Sequence, residues 1–178
     1  MSEKESKHEL SRDINPLLRT TQQYHFQLSM MADQKANIII AATSILFTIS
    51  LTNFDFLEML WGFVCLATFS LVALIFAILA VYPSYEGKKD SIPGIDSINP
   101  LFFGHFTMFS YDEYYKAMEK LMGSSAAIYE AQIKNIYQMG QVLKNRKYKF
   151  LKYSYRVFFT GLILSVILFA IQLLKIVY

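Results

Sequence analysis

Cysteine, histidine and the residue groupings of enzymes are scarce in this sequence. Its 178 residues include one cysteine, Cys65, and three histidines, His8, His25 and His105, which lie far apart. A single thiol excludes an intrachain disulfide framework. The chain also offers no nucleophile beside a base, no metal-ligand spacing and no glycine loop that would cradle a phosphate. We therefore expect no catalysis, no metal site and no cofactor.

Charge is scarce as well. Only 17% of the residues are charged, whereas 54% are hydrophobic, and the chain contains 15 phenylalanines and 12 tyrosines. This surplus of apolar surface needs lipid or a partner to cover it. The first 35 residues are charged and polar and do not form a signal peptide. We therefore expect the first apolar run to be retained as a membrane anchor.

Three stretches lack charged side chains over the length that crosses a bilayer, which is about 20 apolar residues. They are Ala36 to Phe54, Met59 to Tyr82 and Val157 to Leu174. We predict an all-α integral membrane protein with three transmembrane helices and a cytoplasmic helical region. The first stretch is the most polar of the three, so a buried helix of a soluble domain is an alternative for it.

These stretches predict the order of segments along the chain. The order is a disordered cytoplasmic tail over residues 1–14, an amphipathic helix over 15–35, a transmembrane hairpin over 36–82 with spans at about 36–54 and 59–82, a cytoplasmic loop and helical domain over 83–156, and the third transmembrane helix over 157–175. Only Asp55 to Glu58 link the first two spans, so these two helices must be antiparallel neighbours.

The lysines and arginines predict the orientation of the chain. Five of them precede the first span, eleven lie between residues 83 and 156, and one follows the third span. Positive residues are retained on the cytoplasmic side of membranes. We therefore expect the N-terminus and the middle segment in the cytoplasm and the C-terminus outside.

The densest basic cluster directly precedes the third span. It consists of Lys144, Arg146, Lys147, Lys149, Lys152 and Arg156, with tyrosines between them. A nucleic-acid patch is one interpretation of such a cluster. Attraction to anionic lipid headgroups is the simpler one at a membrane boundary, so we expect no nucleic-acid partner.

A helical pattern begins near Tyr111. Steps of three or four residues, as a helix with one apolar face requires, join Tyr115, Met118, Met122, Ala126, Tyr129, Ile133, Ile136, Gly140 and Leu143. The segment Gly123-Ser124-Ser125 is a candidate break between two helices. The apolar stripe fits packing within one subunit, packing against the N-terminal helix, or a subunit interface.

Two of the spans carry small and polar residues along one face. These are Asn37, Ala41, Ser44, Thr48 and Thr52 in the first span, and Gly161, Ser165, Leu168 and Gln172 in the third. Such faces let helices approach closely and form hydrogen bonds in lipid. They are typical either of packing inside a static bundle or of a face that lines a pore or rearranges on activation.

Three short segments together resemble a known family. Ala32 to Ala36 reads ADQKA before the first span, Asn99 to Phe106 reads NPLFFGHF after the second, and Tyr129 to Gly140 reads YEAQIKNIYQMG before the basic cluster. In this order around the spans they resemble the PycTM proteins. These are the membrane effectors of Pycsar, a bacterial anti-phage system built on cyclic pyrimidine nucleotides. The resemblance covers residues 15 to 175.

The resemblance implies a function that composition does not supply. A partner nucleotidyl cyclase senses phage and makes cyclic CMP or cyclic UMP. The effector binds that nucleotide, impairs the bacterial inner membrane and halts the infected cell, which is abortive infection. We expect a homo-oligomer. The chain has no separate nucleotide-binding domain, so the ligand would bind the helical region next to the membrane.

The motif segments provide candidate contacts for such a ligand. A cyclic nucleotide brings one negative charge, a ribose hydroxyl and a flat base, which call for a cation, polar partners and an aromatic face. The candidates are Lys35 or Lys134 for the phosphate, Asp33, Glu130 or Gln132 for the ribose and base, and Phe103, His105 or Tyr129 for stacking.

Each candidate also has a purely structural interpretation. Asp33 and Lys35 lie at a membrane boundary, where charge is expected in any case. Glu130 and Lys134 are spaced to pair with each other, and Tyr129 lies on the apolar stripe. The phenylalanines of the second motif fit a wedge at the membrane interface.

A membrane scaffold and a voltage-gated channel are the alternative functions. A constitutive membrane scaffold would dock a partner protein through its cytoplasmic helices and bind no nucleotide. A voltage-gated channel is disfavoured, because no span contains a regular series of arginines or lysines.

Overall fold

Helices form every element in the part of the chain that the structure describes. The computed structural model describes residues 3–54, 57–83, 99–107 and 109–177, without the side chains of residues 3–12 and of His105. The helices are α1 Glu3–Thr52, α2 Leu60–Val81, α3 Phe103–Phe106, α4 Tyr111–Met122, α5 Ser125–Val142 and α6 Lys149–Val177, with a 3₁₀ turn at Leu57–Met59 and a π-helical segment at Leu143–Tyr148. The predicted all-α class is confirmed.

Three helical stretches are long and apolar enough to cross a membrane. They are Asp13–Thr52, Leu57–Val81 and Ser125–Val177. Each contains one of the predicted spans almost entirely. The second span ends as the sequence predicts: the Tyr82 amide donates to the Ile78 carbonyl, and Pro83 follows, which has no amide hydrogen to continue the helix.

The N-terminal half of α1 differs from the prediction in one respect. The segment expected to be a disordered tail, residues 1–14, is helical from Glu3 onward and continues through Pro16. Glutamate and lysine are good helix formers and make up five residues of this segment, which accounts for the helix. Pro16 removes one backbone hydrogen bond without ending it.

The contacts between residues divide the chain into two compact units. One unit, called the helical unit below, comprises Met1–Leu28 and Pro83–Leu143; the other, called the membrane unit, comprises Ser29–Tyr82 and Lys144–Tyr178. The predicted hairpin and third span thus fall in the same unit.

Within the membrane unit, α2 and α6 approach each other closely. A Cβ placed on Gly161 would overlap the Cβ of Phe69, and one placed on Gly62 would overlap the ring of Phe169. The Phe169 ring also packs edge-on against Phe63, with 4.9 Å between ring centroids. Two glycines, one on each helix, therefore make room for large side chains of the opposite helix, a mode of packing typical of membrane helices.

Small residues also line the contact of α1 within the membrane unit. Ala32 and Ala36 cluster with Ala80 of α2 and Leu151 of α6, and all four are buried. Further along α1, Ile39, Thr43 and Ser50 are buried on the same side of the helix. The Thr43 hydroxyl donates to the Ile39 carbonyl at 2.7 Å, so its burial leaves the hydroxyl paired.

The helical unit contains the predicted break between two helices. Ser110 caps α4 and forms a capping box with Glu113, and α4 ends at Gly123. Ser124 then caps α5 by accepting a hydrogen bond from the Ala127 amide. Two serines thus satisfy backbone amides at the two helix starts, which confirms the break that Gly123-Ser124-Ser125 predicts.

The buried face of α5 is not the predicted apolar stripe. Ala131 and Asn135 are the buried residues of this helix, whereas Ala126 and Ile133 of the stripe are exposed. Tyr129, Ile136 and Gly140 of the stripe are half-buried. The most buried side of α5 is therefore offset from the centre of the stripe, because the contacts of α5 decide which side is covered and its own periodicity does not.

Candidate functional site

A salt bridge joins α1 to the π-helical segment that precedes α6. The Lys147 ammonium lies 2.7 Å from both carboxylate oxygens of Asp33 and 2.8 Å from the Ser29 hydroxyl. The Lys147 side chain is 24% exposed and that of Asp33 is 40% exposed. Three polar groups of the membrane unit therefore satisfy one another, and the charge of Asp33 is neutralised by Lys147.

Next to this salt bridge lies a cleft, called the basic cleft below. It is lined by Lys35, Tyr148, Leu151, Lys152 and Tyr155 and has a volume of about 380 Å³. Tyr148 ends the π-helical segment, and Leu151, Lys152 and Tyr155 follow on α6 at steps of three, one and three. These four residues therefore lie together on one helical face. Lys35 lines the same cleft from α1.

The two lysines of the basic cleft are available to a ligand. Both Lys35 and Lys152 are exposed. Neither forms a salt bridge with any residue that the structure describes. Below them, Tyr148 and Tyr155 pack against the buried alanine and leucine cluster of α1, α2 and α6. The cleft thus combines two positive charges with two aromatic rings on a packed floor, an arrangement that can hold an anion with a flat or apolar portion.

The other predicted ligand contacts lie in the helical unit. Phe103 is exposed and packs edge-on against Phe106, with 5.9 Å between ring centroids. On α5, Glu130 and Lys134 are exposed and Tyr129 and Gln132 are half-buried. Among the described residues, Glu130 and Lys134 are not joined by a salt bridge. The side chain of His105 lies outside the described part of the chain.

Asn99, in the second motif, has a role that the sequence did not reveal. It is 2% exposed. Its amide donates to the Ala131 carbonyl at 2.8 Å and to the Gln138 side chain at 3.3 Å, and its carbonyl oxygen accepts from the Leu101 amide. The second and third motif segments are therefore joined through one buried side chain. The Asn-Pro pair was a signal for a turn, but nothing in the spacing indicated its partner on α5.

The polar face of the third span packs inside the membrane unit. Gly161 and Ser165 are buried, and the Ser165 hydroxyl donates to the Gly161 carbonyl at 2.7 Å. The Gln172 side-chain oxygen accepts from the Gly62 amide at 3.1 Å. Gly62 lies in the first turn of α2, where amides have no partner within their own helix, so Gln172 supplies the missing acceptor.

The polar face of the first span points the other way. Asn37, Ala41, Thr48 and Thr52 are exposed and Ser44 is half-buried. These five residues are called the outer face of α1 below. A shallow groove of about 300 Å³ runs between Ser44, Ile45, Thr48 and Ile49. The Thr48 hydroxyl is bonded to the Ser44 carbonyl at 3.0 Å.

Comparison with known proteins agrees with this architecture. The family model PycTM, the Pycsar effector protein domain, matches residues 16–174. The matched range includes the residues of the basic cleft, the outer face of α1 and the Asn99 contacts. No curated protein and no solved structure matches the chain.

Proposed function

This chain belongs to the PycTM family of Pycsar effector proteins, and from that premise we propose that it impairs the bacterial inner membrane when it binds a cyclic pyrimidine nucleotide. The chain is a membrane effector of the Pycsar anti-phage system. The family match over residues 16–174 is the observation that carries the proposal. The Pycsar family implies a cyclic nucleotide made by a partner cyclase. We take cyclic CMP or cyclic UMP as the ligand.

The proposed orientation follows from the basic residues. Lys35 and the cluster from Lys144 to Arg156 flank the apolar parts of α1 and α6, and the salt bridge between Asp33 and Lys147 shows that these two flanks meet. Because positive residues are retained in the cytoplasm, this end of the spans faces the cytoplasm, where the nucleotide is made. The N-terminus is then inside the cell and the C-terminus outside.

Impairment of the membrane requires a change that one subunit alone does not provide. Within the membrane unit, the Ser154 hydroxyl and the Gln172 side chain are bonded to α2, whereas the outer face of α1 presents the side chains of Asn37 and Ser44 to the surroundings. Polar groups that face lipid are costly, and a neighbouring helix with the same face can satisfy them. We place the contact between copies of the chain on this outer face.

Nucleotide binding would then shift an equilibrium between a closed and a leaky assembly. A shift from about 1% to 99% leaky requires a ligand that binds the leaky state more tightly by about 5.5 kcal/mol. Several sites in one oligomer share this requirement, because each subunit contributes its own binding free energy. Self-association and nucleotide response are thus parts of one mechanism.

The test uses the purified full chain in vesicles of phosphatidylethanolamine and phosphatidylglycerol that contain a fluorescent dye. Cyclic CMP or cyclic UMP should release the dye, and cyclic AMP and protein-free vesicles should not. Binding of each nucleotide is measured in parallel as a shift in the melting temperature of the detergent-solubilised protein. If none of the nucleotides releases dye or changes the melting temperature, the chain is not a nucleotide-gated effector, and the constitutive scaffold is the better description.

A further inference from the structure

We propose that the basic cleft is a phosphodiester-binding site in which Lys35 and Lys152 hold the phosphate. The inference rests on the proposed function for one of its two ligands, the cyclic nucleotide. The other ligand of the same chemistry is the headgroup of an anionic lipid. A 3′,5′-cyclic nucleotide and phosphatidylglycerol each present a phosphodiester with one negative charge.

Lys35 and Lys152 are the lysines that line the cleft, and their pairing differs from that of Lys147. Lys147 is the neighbouring lysine on the π-helical segment, and Asp33 and Ser29 already occupy its ammonium group. Lys35 and Lys152 have no acidic partner among the described residues. Asp33 is the carboxylate nearest to Lys35 in the sequence, and Lys147 neutralises it. Asp33 therefore does not compete with an anionic ligand for the lysines of the cleft.

The walls of the basic cleft are held in place before any ligand arrives. Leu151 is 4% exposed and packs with Ala32, Ala36 and Ala80. Tyr148 and Tyr155 pack against these four buried residues. Tyr155 also stacks on Phe159, with 6.2 Å between ring centroids. A ligand would therefore meet rings whose positions are already restricted by packing, which lowers the entropy lost on binding.

The dimensions of the basic cleft suit a small phosphodiester. Its volume of about 380 Å³ lies in the lower part of the range found for small-molecule pockets, roughly 300–1,000 Å³. The lysines would contact the phosphate oxygens, and the tyrosine rings would lie along the flat base of a nucleotide or the glycerol and first methylene groups of a lipid. Lys134, the other sequence candidate for the phosphate, lies on α5 in the helical unit and does not line this cleft.

The experiment compares wild type with Lys35→Gln/Lys152→Gln and with Lys149→Gln as a matched control. Lys149 is an exposed lysine of α6, one turn before Lys152, and does not line the cleft. The full chain is placed in nanodiscs of phosphatidylcholine, and cyclic CMP and cyclic UMP are titrated by calorimetry. In a second arm, the nanodiscs contain phosphatidylglycerol and no nucleotide, and the acetylation rate of each lysine is followed by mass spectrometry.

We expect at least one phosphodiester to occupy the cleft. In the nucleotide arm, the double variant should bind more weakly than wild type by about tenfold to a hundredfold, and Lys149→Gln should bind as wild type does. In the lipid arm, phosphatidylglycerol should slow acetylation of Lys35 and Lys152 by about tenfold relative to its effect on Lys149. Either result supports the site and identifies its ligand.

The failures of the two proposals are distinguishable. If a nucleotide binds wild type and the double variant equally, and phosphatidylglycerol protects Lys35 and Lys152 no more than Lys149, the phosphodiester site is refuted while nucleotide sensing stands. If phosphatidylglycerol alone protects the two lysines, the site stands as a lipid site and nucleotide sensing is contradicted at this cleft. If neither phosphodiester binds there, the inference is wrong.

Discussion

The polar face of α6 and the outer face of α1 are built from the same kinds of residues and have opposite surroundings. On α6, Gly161, Ser165 and Gln172 are buried or half-buried and contact α2 or their own helix. On α1, Asn37 and Thr48 are exposed. Both faces follow helical spacing through an apolar stretch. The amino-acid pattern alone therefore does not distinguish a face that holds one subunit together from a face that is free to contact another.

The surroundings of the two faces explain the difference. The lipid-facing side of α6 is aliphatic, with Ile163, Val166 and Ile167 exposed, so its polar residues are concentrated where α2 covers them. On α1, the side chains that contact the rest of the membrane unit are Ala36, Ile39 and Thr43. Residues at steps of three or four share one side of a helix, so the outer face of α1 lies on a different side from these contacts. That side is not covered by α2 or α6 among the described residues.

The largest effect on stability is expected from disrupting the polar face of α6. Gly161→Ala places a methyl group on the Cβ of Phe69, and overpacking of this kind costs about 1–3 kcal/mol. The free energy of unfolding should fall even though alanine favours a helix over glycine by about 1 kcal/mol. This free energy is measured by unfolding the protein in mixed detergent micelles.

Gly123→Ala is the matched control for Gly161→Ala. A Cβ at Gly123 would lie 3.4 Å from the Lys120 carbonyl oxygen, which is ordinary contact, and the backbone there is right-handed helical. The free energy of unfolding of Gly123→Ala should stay within about 0.5 kcal/mol of that of wild type. Equal stability of Gly161→Ala and wild type would show that α2 and α6 are not packed as closely as described.

A smaller loss of stability is expected from removing the hydrogen bond between Gly62 and Gln172, at the end of the polar face of α6. Gln172→Leu removes the acceptor for the Gly62 amide while keeping an apolar side chain of similar size. Hydrogen bonds between membrane helices contribute about 0.6 kcal/mol on average and up to about 1.7 kcal/mol. The same unfolding assay should record a loss of unfolding free energy in that range. A gain in stability on Gln172→Leu would contradict the bond.

The smallest effect on subunit stability is expected at the outer face of α1. In Asn37→Leu/Ser44→Ala/Thr48→Val, the free energy of unfolding of one subunit should change by less than about 0.5 kcal/mol, because these residues are not part of its buried interior. Self-association in vesicles, measured by energy transfer between labelled copies, should weaken by about tenfold.

Thr68→Val provides the control for the outer face. Thr68 is an exposed threonine of α2 whose hydroxyl donates to the Val64 carbonyl at 2.8 Å, as that of Thr48 does to Ser44. Self-association should be unchanged in this variant. Equal weakening by both sets of substitutions would mean that any lipid-facing hydroxyl matters, and it would remove the special role of α1.

The spans and the helix break were predictable from the sequence because their signals are local. Uncharged stretches of sufficient length predict membrane helices, Pro83 predicts the end of α2, and Gly123-Ser124 predicts the break before α5. The family followed from three short motifs, and the extent of the resemblance, residues 15 to 175, agrees with the matched range of 16–174. The extension of α1 to Glu3 was missed, because a polar segment reads as a tail even when its residues are good helix formers.

The candidate site was less predictable, since it depends on which helix faces meet. Lys35 was selected from the sequence as a phosphate contact, and the structure adds Tyr148, Lys152 and Tyr155 around it. Those three had been assigned only to the basic cluster at the membrane boundary. The predicted ligand contacts on α5 and in the second motif stay predictions, and Asn99 is the buried link between those segments.

Local chemistry in the chain was enough to establish the helical class, the three apolar spans and the family, because each depends on residues near one another in sequence. The tertiary structure decided which polar face is inside, which lysine is paired and which lysines are available. Those properties arise from contacts between residues more than a hundred positions apart, such as Asp33 with Lys147 and Gly62 with Gln172. No periodicity along a single helix encodes the identity of the helix that covers it.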